Sequence, residues 1–307
     1  MIPKSRQPLP VHSARYLLRG CVTRRAVPLQ TNRQRNFVIN SRTSSVRQYP
    51  AFQSTSTPLP RTFSTFRMSQ DNGFGIVLPH EEVESLWFGG LNLSPGAAPS
   101  MEALVKRWFL HDDKFDLTCR CKSPISHRSN WIRNYEPLVR RIIKLPFDEI
   151  VALGDTPEHS LTLILLLDQF TRNFSRGSPF PFTEVDPLSQ KLAEHFVLSL
   201  GHDTKHPPYK QMFYYLPFQH AERLDYQELA VSKQAYICWE TRNGEWKDFH
   251  EMMSKGLNSA WKHYVIIAKF GRFPHRNEVL GRETTEEEKK FLDEGGDTFA
   301  PPKPKAS

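Results

Sequence analysis

Three short segments of the chain place polar, chemically competent side chains directly beside apolar runs. In the first, Asp168 follows the apolar run 163–167, and Arg172 comes four residues later with Asn173 next to it. On a helix, side chains at i and i+4 are neighbours. A buried carboxylate is tolerated when a cation or hydrogen-bond donors compensate its charge. The segment therefore predicts an Asp168–Arg172 ion pair, which either joins helices or forms part of a site.

The second segment, 214–227, carries His220 and Glu222 close to Pro217. An imidazole titrates near neutral pH and is suited to general acid–base chemistry. If the segment is helical throughout, His220 and Glu222 lie on roughly opposite faces. The two side chains could form a convergent metal-binding pair only if His220 lay in a turn before the helix. For Glu222, a solvated helix face or a salt bridge between helices is the favoured interpretation.

The third segment, 269–277, follows a helix that bears His263. Gly271 ends that helix and Pro274 stiffens the turn after it, and four polar residues are presented together: Arg272, His275, Arg276 and Asn277. Arginine offers planar, two-point hydrogen bonding to carboxylates and phosphates. This turn is therefore a candidate anion-binding loop.

The three segments together define the candidate site. The candidate catalytic residues are His220, His275 and Asp168, and the candidate ligand-binding residues are Arg172, Asn173, Glu222, Arg272, Arg276 and Asn277. Metal ligation could involve His220, Glu222, His263 and His275, but their spacing is not diagnostic of a metal site. We therefore predict no metal and no cofactor. The sequence has no P-loop, G-x-G-x-x-G, G-x-S-x-G or H-E-x-x-H motif, so nucleotide chemistry and common hydrolase chemistry receive no support.

Residues 1–67 form a basic leader that contains no acidic residue. They hold one Lys and eleven Arg, a charge of +12. The whole chain has 41 basic and 33 acidic residues, so 68–307 holds 29 basic and 33 acidic residues, a charge of −4. An Arg-rich, Ser-rich, acid-poor leader is typical of a mitochondrial transit peptide, and a disordered basic tail is the alternative. Because the rest of the chain is mildly acidic, the charge favours targeting over nucleic-acid binding.

The composition changes at Met68, since the first acidic residue of the chain, Asp71, follows it closely. Use of the leader predicts a mitochondrial matrix protein, whereas a start at Met68 predicts a cytoplasmic one. The longest apolar run, 163–167, is far shorter than the ~20 residues that cross a bilayer, so we predict no membrane insertion. We predict one helical domain over 68–299 and a disordered Pro/Lys tail over 300–307.

Helix start and stop signals recur along this domain, and strand patterns are scarce. The signals predict helices at 79–88, 101–111, 135–144, 147–153, 156–173, 186–200, 209–215, 218–242, 245–269 and from 286 onwards. Residues 119–134 have no periodicity and are predicted to be a loop. Short connections between helices favour an all-α fold of stacked antiparallel helix pairs.

The chain resembles the uncharacterised family DUF924. The resemblance rests on a Trp-Phe-Gly at 87–89, an L-L-D-Q-F-x-R-N run at 166–173, a Y-L-P-F-x-H-x-E run at 215–222, an F-G-R-F-P-H-R-N run at 270–277, and an L-G-R segment at 280–282. It covers about 79–299. It implies an all-α fold of antiparallel helix pairs stacked in a tetratricopeptide-like right-handed array, and it implies no known activity. Residues 119–134 depart from the family pattern as an insertion.

The function is unknown from the sequence, and two hypotheses of different classes remain, of which the first is favoured. The first is a helical scaffold that binds an unknown protein partner or a small ligand. The second is a small-molecule enzyme that combines His and Asp acid–base groups with an Arg-lined pocket for a small anion. The enzyme hypothesis predicts that residues distant in sequence converge on one cavity, whereas the scaffold hypothesis predicts separate local ion pairs.

Overall fold

Helices make up all of the regular secondary structure in the described residues. The computed structural model describes residues 75–89, 91–100, 103, 104, 108 and 132–299. The predictions for the leader, for Met68 and for the tail lie outside these residues. The all-α prediction is confirmed for the described part of the chain, and the right-handed stacking of helix pairs stays a prediction. None of the described helices combines the length and the apolar character needed to cross a membrane.

Nine helices are labelled in chain order. They are α1 (His80–Phe88), α2 (Glu136–Ile142), α3 (Phe147–Leu153), α4 (Pro157–Ile164, continued by Leu165–Phe170 and Thr171–Phe174), α5 (Pro181–Val185, continued by Asp186–Glu194 and His195–Ser199), α6 (Pro208–Gln219), α7 (Leu224–Glu240), α8 (His250–Phe270) and α9 (Glu286–Asp293). Short 3₁₀ turns lie at Asp203–Lys205, Lys247–Phe249 and Pro274–Arg276.

Capping side chains begin three helical segments where the sequence predicts them. The hydroxyl of Thr156 accepts a hydrogen bond from the backbone nitrogen of His159 at 3.1 Å, and Pro157 takes the first position of α4. Thr285 and Glu288 form a reciprocal capping box at the start of α9. The hydroxyl of Ser100 accepts from the backbone nitrogen of Ala103 at 3.2 Å. These bonds satisfy backbone donors that a helix N-terminus leaves unpaired.

The break between α6 and α7 differs from the prediction. The sequence predicts that one helix ends before Pro217 and that the next starts at residue 218, but α6 includes Pro217 and runs to Gln219. The chain then turns, and α7 starts at Leu224. The side-chain amide of Gln227 closes the end of α6, since it donates to the backbone oxygens of Gln219 at 2.8 Å and Ala221 at 2.7 Å. His220 therefore lies in a turn before a helix.

Two other predicted boundaries are wrong. The helix predicted to start at Asp186 starts at Pro181, because a π-helical turn at Pro181–Val185 precedes it and buries Val185. The loop predicted over 119–134 is wrong at 132 and 133, which are helical. Ile132 is fully buried, and that burial favours ordered structure there. Residues 119–131 lie outside the described residues.

The core is built around the middle of α4. Its residues from Leu163 to Phe170 are buried on all sides, and α5, α6 and α1 pack against α4. Further along the chain, α6 packs on α7 and α7 packs along α8. As a result, the C-terminal part of α4, the start of α5, the α6–α7 turn and the α8–α9 loop come together at one place.

Candidate functional site

Asp168 and His220 form a closely held pair. Asp168, in the π-helical part of α4, is fully buried. One of its carboxylate oxygens lies 2.7 Å from Nδ1 of His220 in the α6–α7 turn. The other oxygen accepts a hydrogen bond from the side chain of Gln169 at 2.5 Å. The buried carboxylate thus fixes the orientation of the imidazole ring.

The neighbours of His220 decide which of its ring nitrogens carries the proton. Nε of Arg172 lies 3.1 Å from the same Nδ1. One nitrogen cannot both donate to Asp168 and accept from Arg172. An unprotonated Nδ1 would place its lone pair 2.7 Å from a carboxylate oxygen, and this acceptor–acceptor contact is repulsive. The proton therefore lies on Nδ1, and Nε2 of a neutral His220 keeps its lone pair.

The electrostatics of the pair favour a neutral imidazole and an ionised carboxylate. Burial and the positive charge of Arg172 lower the pKa of His220 below 6.5, against the attraction of Asp168. Burial alone would raise the pKa of Asp168, but the attraction of His220 and Arg172 and the hydrogen bonds from His220 and Gln169 outweigh it and hold the pKa well below its usual range. At pH 7, Asp168 is ionised and His220 can accept a proton.

Asp186, the first residue of the α-helical part of α5, continues this network. Its Oδ1 accepts a hydrogen bond from Nη2 of Arg172 at 2.7 Å, and the same nitrogen lies 3.3 Å from Asp168. Its Oδ2 lies 3.9 Å from Nη1 of Arg276 and has no hydrogen-bond partner among the described residues. Arg172 is thus shared by two carboxylates, while Arg276 is only loosely compensated.

Arg276 is held between two aromatic rings. Its guanidinium carbon lies 4.6 Å from the centroid of Phe182 and 4.3 Å from that of Phe273. Its Nη1 donates to the backbone oxygen of His220 at 3.0 Å. The residue is 6% exposed. This clamp, with cation–π contacts on both faces, fixes the guanidinium next to the Asp168–His220 pair.

These groups border an open cavity of about 230 Å³, here called the His220 cavity. It is lined by Phe182, Asp186, Pro187, Gln190, His220, Glu222, Arg223, Arg276 and Leu280. The side chain of His220 is 16% exposed, and its Nε2 has no hydrogen-bond partner within the described part of the chain. Its volume is below the usual range of drug-sized ligand sites.

Comparison with known proteins gives a family but no activity. The model of the family "Bacterial protein of unknown function (DUF924)" matches residues 83–296. The chain belongs to this family. A solved structure of a protein of unknown function from Agrobacterium tumefaciens is 30% identical to it, over 70% of this chain and 97% of that one, with a TM-score of 0.49. A comparison with curated proteins gave no match.

The DUF924 domain brings several of the predicted site residues together. Asp168, Arg172, His220, Glu222 and Arg276 come from three separate elements and meet at or directly behind the cavity. Of the described residues, no group of three or more His, Cys, Asp or Glu is arranged to hold a metal ion. The convergence of these five residues agrees with the enzyme hypothesis, whereas Arg272, His275 and Asn277, which that hypothesis also assigns to the cavity, do not line it.

Other predicted site residues have structural contacts elsewhere in the domain. Arg272 donates to both oxygens of Glu288 at 2.6 and 2.8 Å, and Asn277 donates to the same carboxylate at 3.1 Å. Asn173 donates to the backbone oxygen of Gln169 in its own helix at 2.8 Å. These three residues hold local structure and do not line the His220 cavity.

The ring of His275 packs behind the cavity wall. It lies against Phe273 and Phe299, and its Nδ1 is buried with no hydrogen-bond partner among the described residues. Burial and the charge of Arg276 lower its pKa to about 4. His263 is buried, as the sequence predicts, with its ring centroid 6.0 Å from that of His220. Neither ring lines the cavity.

The sequence analysis missed three residues of the site. Asp186 was taken only as the start of a helix, where an acidic residue is common for its interaction with the helix dipole. Phe182, which stacks on Arg276, precedes that predicted start and was not singled out. Arg282 lies in the L-G-R segment at 280–282 and makes two hydrogen bonds to Glu222. The motif was the available signal for Arg282.

Proposed function

We propose that this protein is an enzyme that uses His220 as a general base on a small molecule bound in the His220 cavity. The observation that carries the proposal is the 2.7 Å contact between Nδ1 of His220 and the buried carboxylate of Asp168. A carboxylate in this position orients the imidazole and stabilises the imidazolium that forms when the ring accepts a proton. The same arrangement leaves Nε2 as the proton acceptor.

The lining of the cavity favours proton transfer over covalent catalysis by a hydroxyl or thiol. None of the described residues that line it is Ser, Thr or Cys. His220 would remove a proton from a bound water or from the substrate itself. Nη2 of Arg276, which has no hydrogen-bond partner in the described residues, would stabilise negative charge that develops on the substrate. The imidazolium then returns the proton to the product.

The scaffold hypothesis has less support from the site. It predicts independent ion pairs, and Arg272–Glu288 fits that description. The network around Asp168, Arg172 and Asp186 does not, because it joins α4, α5 and the α6–α7 turn at one cavity. Binding of a protein partner stays a prediction from the sequence.

The test is a turnover screen with variants of two His–Asp pairs. Wild-type protein is assayed against small esters, amides, phosphate monoesters and 2-oxo acids, alongside His220→Gln. A matched control is His159→Gln, because His159 also contacts an aspartate, Asp155, at 3.2 Å but does so on the surface. We expect His220→Gln to lose about 10²- to 10⁴-fold in turnover and His159→Gln to match the wild type. Equal turnover of wild type and His220→Gln would overturn the proposal, as would a full screen without turnover.

A further inference from the structure

One edge of the buried Arg276 guanidinium has no hydrogen-bond partner among the residues that the structure describes. Nη1 is occupied by the backbone oxygen of His220. Nε is buried without a hydrogen-bond partner, and Nη2 has none among the described residues. Together, Nε and Nη2 form the side-on fork with which arginine takes two oxygens of a carboxylate or phosphoryl group. The residue is 6% exposed, so this unsatisfied edge is a costly feature unless a ligand completes it.

The other cations near the site are already paired. Arg172 contacts two carboxylates, and Arg282 makes two hydrogen bonds to Glu222. Arg223 lines the cavity but is exposed and bonded to Asp225, and it stacks on a neighbouring ring. Within the described residues, the polar contacts of the Arg276 guanidinium are the backbone oxygen of His220 and a carboxylate oxygen of Asp186 3.9 Å away. Of these arginines, Arg276 is the one left without close charge compensation.

From this geometry we infer that Arg276 binds an oxyanion, a carboxylate or phosphoryl group, of a small molecule in the His220 cavity. The inference deepens the proposed function by naming the substrate class. Nη2 makes the first contact with the anion, because Nε is buried from solvent in this structure. The bond from Nη1 to the backbone oxygen of His220 fixes the anion site relative to the catalytic imidazole.

The electrostatics around Arg276 favour the binding of an anion. Burial and the nearby charge of Arg172 lower the pKa of Arg276 to about 10. Burial and the charge of Arg276 lower the pKa of His275 to about 4, and burial, His220 and Arg276 lower that of His263. A bound anion would counter the field of Arg276. The pKa values of His275 and His263 should therefore rise when an oxyanion binds.

The experiment is a titration of the full chain with sodium acetate and, separately, with inorganic phosphate. The histidine ring signals are followed by NMR at pH 7.5 and constant ionic strength, with chloride as the reference anion. We expect saturable shifts with at least one oxyanion. Arg276→Lys keeps the charge but lacks the fork, and it should weaken binding by about tenfold or more. Arg276→Gln should abolish binding, and its fold is checked by circular dichroism.

Matched variants separate this inference from the proposed function. Arg223→Gln removes a second cation that lines the same cavity but is already paired with Asp225. This variant should leave the affinity for the oxyanion within about twofold of wild type. His220→Gln should still bind the oxyanion, even though it loses turnover. Saturation with acetate alone assigns a carboxylate, and saturation with phosphate alone assigns a phosphoryl group. The inference is overturned if neither anion saturates, or if Arg276→Lys binds as tightly as wild type.

Discussion

Glu222 and Arg282 form a two-point ion pair that joins two loops of the site. Nη1 of Arg282 donates to Oε2 of Glu222 at 2.6 Å, and Nη2 donates to Oε1 at 3.0 Å. The same Oε1 accepts from the backbone nitrogen of Phe273 at 2.8 Å. Because Glu222 lies in the turn with His220 and Phe273 lies in the loop with Arg276, this carboxylate aligns the base with the anion site. Its predicted contact with a ligand would have to compete with these three hydrogen bonds.

Arg282→Lys should destabilise the protein, because a lysine cannot reproduce the two-point geometry. We expect a loss of about 1–3 kcal/mol in the free energy of unfolding, since the pair is largely shielded from water. Urea unfolding should show a lower midpoint with an unchanged slope. The matched control is Arg140→Lys, whose pairing with Glu136 is exposed and should cost less than about 0.5 kcal/mol. Equal losses in the two variants would contradict the assigned role.

Asp168→Asn should affect both stability and the state of His220. Removing the charge leaves Arg172 with one carboxylate partner instead of two, and breaking a buried charge pair costs about 3–5 kcal/mol. The asparagine can also present its amide to Nδ1, which would move the ring proton to Nε2 and abolish the base. ¹⁵N NMR of the imidazole reports the tautomer directly. An unchanged Nδ1–H tautomer with full turnover would exclude Asp168 as the positioning residue.

The part of the site that could be predicted is the part encoded by local spacing. Asp168 and Arg172 are four residues apart on one helix, so their contact follows from helix geometry. The position of His220 in a turn could not be predicted in the same way. Pro217 is accommodated inside α6, and the helix ends only after it, at Gln219. The sequence predicts an anion site at Arg272, but the anion that this side chain binds is Glu288, 16 residues further along the chain. Such a pairing depends on how the α8–α9 loop folds back onto the end of α8, and helical periodicity does not encode the path of a loop.

Glu288→Gln should release α9 from the α8–α9 loop. The carboxylate accepts hydrogen bonds from Arg272, Asn277 and the backbone nitrogen of Thr285. The bonds from Arg272 hold its pKa at about 2, below the usual 4.5, although its burial opposes the shift. A glutamine loses the charge and turns one acceptor into a donor, so we expect a loss of about 2–4 kcal/mol by chemical denaturation.

The exposed neighbour Glu287 supplies the control for that variant. It pairs with Lys269 at 3.2 Å on the surface, so Glu287→Gln should change stability by less than about 1 kcal/mol. The pH dependence gives a second check. A carboxyl with a lowered pKa contributes stability that is present above about pH 4.5 and is lost as the pH falls towards 2. Glu288→Gln should remove that part of the acid sensitivity, and a profile identical to wild type would contradict it.

Stability should fall as the pH drops from about 6.5 to 4, because the fold lowers the pKa of five histidines: His202, His206, His220, His263 and His275. The pKa values of His220, His263 and His275 are all lowered, the last to about 4, by burial and by nearby cations. In this window the unfolded chain binds protons that the folded chain does not, so the free energy of unfolding rises with pH. For His275 the shift sets an upper limit of about 3 kcal/mol. Urea unfolding at pH 7.5, 6.5, 5.5 and 4.5 measures the slope.

His275→Gln isolates one histidine from this dependence. The variant lacks the group that takes up a proton on unfolding, so its slope between pH 6.5 and pH 4 should be shallower than that of wild type. His159→Gln is the control, because that side chain lies at the surface and should leave the slope unchanged. A bound oxyanion should also flatten the slope, since it raises the pKa of His275 in the folded state and narrows the window. A slope that responds to acetate or phosphate in wild type, but not in Arg276→Lys, would connect the acid sensitivity of the fold to the occupancy of the His220 cavity.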